Sequence, residues 1–194
     1  MKKINLTHLK QITRLYKVYS SRDICNSFAR PVYYDGQLWI VNGISAVVLE
    51  KDYLPKNNEF LFNIAEALPT YDRIEAVINY LKDMFKTAQN SNNYFTFKLD
   101  KDTLRKAIKE VKTNQGVKYP VVDLGGVYVK AEYLLSHIGI SRRKSAFISI
   151  GNKKDPVIIS GDDGAISLLM PLNIDEDTIN RDEIITLQSV NAYV

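Results

Sequence analysis

One cysteine, Cys25, and two histidines, His8 and His137, are all that this 194-residue chain offers of the side chains most used in redox, zinc and triad chemistry. A lone thiol closes no intrachain disulfide and builds no cysteine-rich zinc site, and its natural setting is a reducing cytosol. A Ser-His-Asp or Cys-His site needs a fold context that nothing here supplies. His137 lies in the apolar run Leu134-Leu135-Ser136-His137-Ile138 and reads as a structural histidine. No Gly-x-x-x-x-Gly-Lys-Ser/Thr pattern occurs, so Gly125-Gly126 reads as a tight turn and not as a phosphate loop. Asp162-Asp163 sits in a turn signal and reads as solvated, not as a metal site. Catalysis, a cofactor and a metal are therefore not expected. No apolar run approaches the roughly 18 residues that cross a bilayer, and Met1-Lys2-Lys3-Ile4-Asn5 is not followed by the apolar segment of a secretory signal, so no membrane partner is expected.

Acidic residues are outnumbered over most of the chain. Net charge is +4, but residues 175–194 hold Asp175, Glu176, Asp177, Asp182 and Glu183 against Arg181 alone, which leaves +8 for the other 174 residues. A basic body with an acidic tail favours an anionic partner for the body. The competing view is that such a charge merely confers solubility, and placement decides between them.

What the chain does have is 45% hydrophobic residues, including twelve Tyr and seven Phe, which is ample for the core of one large or two small domains. Two stretches look written to one plan. Lys3–Leu6, a helical pattern and Arg30-Pro31-Val32-Tyr33-Tyr34-Asp35-Gly36 parallel Phe97–Asp100, a helical pattern and Tyr119-Pro120-Val121-Val122-Asp123-Leu124-Gly125. The first helix is expected from the Thr7 cap to Tyr19, with Lys10, Arg14 and Lys17 on one stripe. The second is expected over 101–112 behind an Asp100 cap, with Lys101, Arg105, Lys109 and Lys112 at spacings of four, four and three. Asp35-Gly36 between two β-rich runs predicts a hairpin, and Asn42-Gly43 a second turn before a strand at 45–49. Apolar residues at 71, 74, 77, 78, 81 and 85 predict a third helix over 71–85, and Gln89–Asn93 reads as a linker. Strands are expected at 94–99, 121–123, 127–129, 146–150, 157–160 and 165–170, with a helix over 131–138. A helix face lined with Lys and Arg repels itself, and phosphates relieve that repulsion with release of counterions. One such helix reads as a solvated face; two in repeated units point to a polyanion.

Val127-Tyr128-Val129-Lys130-Ala131-Glu132-Tyr133-Leu134-Leu135 resembles the segment of bacterial sliding clamps, the β subunit of the replicative polymerase, in which a strand enters an x-Tyr-Leu-Leu helix. Asp155-Pro156-Val157-Ile158-Ile159 is similar to the family's Pro-hydrophobic strand, and Ile166–Leu172 to its closing Met-Pro strand. The resemblance covers 94–174 and, more weakly, 1–54. It implies an α+β, DNA-clamp-like fold of two similar units, with antiparallel sheets outside and helices packed on one face. The units would span 1–89, shortened, and 94–174, followed by an acidic extension over 175–194. It also implies a cytoplasmic, non-enzymatic homo-oligomer, a dimer or trimer, that encircles double-stranded DNA and tethers a DNA polymerase or other replication protein. Lys10, Arg14, Lys17, Lys101, Arg105, Lys109 and Lys112 would then face the phosphates. Both units are shorter than the family's, whose subunit has three domains, which suggests a phage or mobile-element form. The alternative is a clamp-fold regulatory protein that binds a replication or host protein without a DNA ring. The tail could cover a partner groove, cover the basic wall, or be a terminal ornament, the last being the default.

Overall fold

The computed structural model describes residues 32–41, 45–50, 71–90, 94–140, 144–161, 165–174 and 180–186. Outside them lie Cys25, the Lys3–Leu6 stretch, the expected helix from Thr7 to Tyr19 with Lys10, Arg14 and Lys17, the Asn42-Gly43 turn and the Asp162-Asp163 turn.

The described elements are mixed α and β. Strands β1 (Val32–Tyr34), β2 (Gln37–Val41) and β3 (Ser45–Glu50) form a meander. Its first turn is the expected Asp35-Gly36, with φ of 52° and 74°, the paired positive values that a two-residue hairpin needs. Helix α1 (Tyr71–Asn90) runs past the expected end at 85, because Phe85 and Ala88 are both buried and carry the apolar stripe another turn into the expected linker. Strand β4 (Phe95–Asp100) leads into helix α2 (Lys101–Asn114). The short hairpin β5 (Val121–Asp123) and β6 (Tyr128–Lys130) precedes helix α3 (Ala131–Ile138). Strands β7 (Ser145–Ile150), β8 (Val157–Ser160) and β9 (Ile166–Leu169) form a second meander. A 3-10 turn, Arg181–Glu183, opens strand β10 (Ile184–Thr186).

Seven strands make one antiparallel sheet in the order β1-β2-β3-β9-β8-β7-β4. It consists of two three-stranded meanders joined last strand to last strand, with Ala46 opposite Leu168 and Val48 opposite Ile166 at the seam, and β4 added antiparallel outside β7. The smaller sheet is β10-β5-β6; its β5–β6 pair is antiparallel, as expected of the sheets, and its β10–β5 pair is parallel. The repeat read in the sequence is not the repeat of the sheet. The Pro31 segment enters β1 of the large sheet, whereas the Pro120 segment enters β5 of the small one; the counterpart of β1 across the seam is β7.

Strand alternation separates two cores. Ile158 and Leu168 belong to the core that contains Leu38, Trp39, Leu49 and, from α1, Ile78, Leu81 and Phe85. Their neighbours Val157, Ile159 and Leu169 belong to the core of α2, α3 and the small sheet, with Leu104, Ile108, Leu134 and Ile138. The Tyr34 hydroxyl donates to Glu75 at 2.9 Å and Lys82 to Asp35 at 2.9 Å, tying α1 to the first hairpin. Helices α2 and α3 share one face of the large sheet and α1 lies on the other, so helices on a single face describes only part of the fold. Each large side chain buried in these cores contributes about 1.5–3 kcal/mol relative to exposure. Among the described residues no helix is long and apolar enough to cross a membrane.

The acidic extension is not wholly an ornament. Ile185 is 2% exposed and sits in the second core, and β10 lies beside both β5 and α2.

Candidate nucleic-acid interface

Helix α2 starts where its cap dictates. The Asp100 carboxylate accepts from the Thr103 amide at 2.7 Å and from the Thr103 hydroxyl at 2.9 Å. Burial alone would raise the Asp100 pKa, but those hydrogen bonds, one from Asp102 and the charge of Lys144 together hold it below the ordinary carboxylate value. The Lys101 amide donates to the Lys144 carbonyl at 2.6 Å. With these donors engaged, the helix N-terminus is not an open anion site; any polyanion contact must come from the side of the helix.

That side is basic. Over 101–114 the helix carries five basic residues against two acidic ones. Leu104, Ala107 and Ile108 are buried and Val111 packs beside them, while Arg105, Lys106, Lys109, Glu110 and Thr113 face solvent. The four predicted residues do share one flank, but they are not equivalent. Arg105 pairs with Asp102 at 2.5 Å, one turn back on the same helix. Lys112 pairs with Glu132 of α3. Lys101 is half-buried and already engaged in an interaction of its own. Lys109 is exposed with no ion pair among the described residues. Lys106, which the four-four-three spacing skips, is also exposed and, like Lys109, lies nearly opposite the buried stripe. The signal for it was available: on a 3.6-residue helix, position 106 points away from Leu104, Ala107, Ile108 and Val111. Solvent-exposed ion pairs of the Arg105 and Lys112 kind are worth only about 0–1 kcal/mol, so a phosphate can compete for either cation.

Other charged and aromatic groups lie near the C-terminal end of α2. Lys118 stands over the Tyr119 ring at 5.3 Å, and that ring is 61% exposed. Lys130 stands over Tyr133 at 5.3 Å. The amides of Gly125 and Gly126, both at positive φ, donate to the Asp123 carboxylate at 2.9 and 2.7 Å. A carboxylate of the chain itself thus occupies this small amide cradle, in keeping with a turn and not a phosphate loop. His137 is fully buried in α3; desolvation lowers its pKa to about 4, so at neutral pH it is an uncharged core residue. Among the described residues no group of three or more His, Cys, Asp or Glu side chains converges as a metal site would require.

No family model and no curated protein matches the chain. Among solved structures it is similar to a putative DNA polymerase III β subunit from Eubacterium rectale, with a TM-score of 0.37 and 11% identity over 71% of this chain and 41% of that one. It is also similar to the H. pylori β clamp, solved in complex with 5-chloroisatin (TM-score 0.35, 12% identity, 73% of this chain and 44% of that one). The same clamp in complex with diflunisal gives a TM-score of 0.35 and 13% identity over 73% and 43%. The chain spans less than half the length of these proteins.

Proposed function

We propose that the chain is a non-enzymatic, clamp-like replication accessory protein that contacts duplex DNA without reading its sequence and tethers a polymerase. The observation that carries this reading is the solvent face of α2, where Arg105, Lys106 and Lys109 cluster on a helix whose other face is locked into the core. A rigid basic helix meets phosphates without touching bases, which gives salt-sensitive, sequence-independent binding. On this reading Lys101, Arg105, Lys109 and Lys112, now with Lys106, line the DNA-facing wall, and Lys10, Arg14 and Lys17 extend it. Units 1–89 and 94–174 supply that wall, and several copies, two or three, close around the duplex through sheet edges. Strand β4 ends the large sheet, and Phe95 on it is 49% exposed. An edge that no strand among the described residues covers, with an exposed aromatic and no proline, is suited to pairing.

A second reading, a regulator that keeps this fold without a DNA ring, is favoured by the pairing of Arg105 and Lys112 with carboxylates, which reduces the available charge. Titration of a labelled 30-bp duplex, followed by anisotropy at increasing salt, separates the two. The double variant Lys106→Glu and Lys109→Glu should weaken binding and lower the log–log salt slope by roughly 2, about 0.9 for each phosphate no longer neutralised. Wild-type protein that fails to bind DNA at ~25 mM salt and stays monomeric by light scattering would leave only the regulator.

A further inference from the structure

We infer that the corner between the end of α2 and the start of α3 is a stacking platform for unpaired nucleotides, with Tyr119 taking a base and the lysines around it the phosphates. The inference rests on the proposed DNA contact and adds to it an adjoining site for single-stranded DNA. Three observations carry it. The first is placement. The Pro120 carbonyl accepts from the Ala131 amide at 3.0 Å, and Lys112 of α2 pairs with Glu132 of α3. The last turn of α2, the segment 118–120 and the first turn of α3 therefore meet at one corner. Lys112 lies about 4.5 Å beyond Lys109 along the helix axis, so the corner continues the basic flank of α2. The second is restraint. Val121 is paired on both sides, to Ile184 of β10 and to Lys130 of β6, and Pro120 restricts the residue before it to extended backbone. Tyr119 is thus held by its neighbours while its own ring stays 61% exposed. The third is composition. Lys118 stands over the Tyr119 ring and Lys130 over the Tyr133 ring, each at 5.3 Å. With Lys112, three lysines and two tyrosines gather around one carboxylate, Glu132. Glu183, which precedes β10, lies across β5 from α3.

A single exposed tyrosine is ordinary on a protein surface. One held among lysines that continue a phosphate-binding face has the parts that single-stranded nucleic acid uses: rings take base faces whatever the sequence, and cations track the backbone. Helix α2 itself carries no aromatic residue, so its solvent face suits the phosphates of a duplex, whereas the corner suits a strand whose bases are unstacked.

The test compares three labelled ligands on the full-length chain by anisotropy at ~50 mM salt: a blunt duplex, the same duplex with a short thymidine tail, and one whose tail of equal charge is abasic. The thymidine tail should bind about fivefold tighter than the abasic one, the low end of what base–aromatic stacking supplies. Tyr119→Ala should abolish that difference and leave the blunt duplex unchanged, and Tyr119→Phe should retain it. Equal binding of the two tails, or a difference that survives Tyr119→Ala, overturns the platform and leaves the duplex reading standing. If none of the three ligands binds, the platform and the duplex reading fall together.

Discussion

His137 offers the cleanest quantitative check on the interior. Its ring is fully buried, Nδ1 has no hydrogen-bond partner among the described residues, and desolvation takes its pKa from 6.5 to about 4. The folded-state value lies below the unfolded one, so as pH falls the unfolded chain takes up the proton first. Stability from this residue is therefore complete above about pH 6.5 and is lost progressively down to about pH 4. At about 1.36 kcal/mol per pH unit the full loss is about 3 kcal/mol, of which about 1.4 kcal/mol is gone by pH 5.5. That is a large share of the roughly 5–15 kcal/mol that holds a domain folded. His137→Leu removes the titration and also the unpartnered nitrogen, whose burial costs about 1–3 kcal/mol. The variant should match or exceed wild type at pH 7.5. Urea unfolding at pH 7.5, 6.5, 5.5 and 4.5 gives the difference curve, in which acid losses from other groups such as Asp100 cancel. Wild type should fall relative to the variant from pH 6.5 to 4.5 and run parallel to it above 7. Parallel behaviour across the whole range would refute the account of His137 as a neutral core residue.

Two other substitutions probe packing. A Cβ at Gly151 would meet Asp155 Oδ2 at 2.6 Å and Tyr94 Cζ at 2.9 Å, so Gly151→Ala should cost about 1–3 kcal/mol. Urea unfolding should show the deficit shrinking in an Asp155→Ala background, even though Asp155 itself accepts from the Asn152 amide at 2.8 Å. Ile185→Ala should cost about 2–4 kcal/mol and preferentially raise amide exchange in β10 and β5, because Ile185 anchors a strand held by three paired residues. Uniform exchange across all strands would contradict a locally anchored tail.

Local features of the fold were legible because local physics sets them. The Asp35-Gly36 hairpin follows from two residues that tolerate positive φ, and the start of α2 follows from the Asp100 cap. Strands β7 to β9 and helix α3 fall within one residue of their expected bounds, since period and turn residues both mark them. Pairing order was not legible. Nothing within Ser45–Glu50 points to Ile166–Leu169, and the match of Pro31 with Pro120 suggested an equivalence that the sheets do not keep. Strand β10 escaped because three residues, Ile-Ile-Thr, are too few for a period, and only the Ile185 pocket between α2 and β5 makes them a strand. At the candidate site the basic flank of α2 was readable from spacing. That Asp102 and Glu132 neutralise two of its four members depends on rotamers and on α3 standing beside α2.

The seam between the two meanders also fixes an order of events in the making of this protein. Ser45 pairs with Leu169, so the apolar strand Ala46-Val47-Val48-Leu49 leaves the ribosome with one edge unfilled. Its partner follows about 120 residues later, roughly 6–24 s at ~5–20 residues per second. Throughout that interval the nascent chain displays a bare, uncharged strand edge of the kind that chaperones shield and that drives aggregation. Synthesis that stops short of residue 166 should release insoluble fragments, and the rate of translation through the second meander should govern the yield of folded protein.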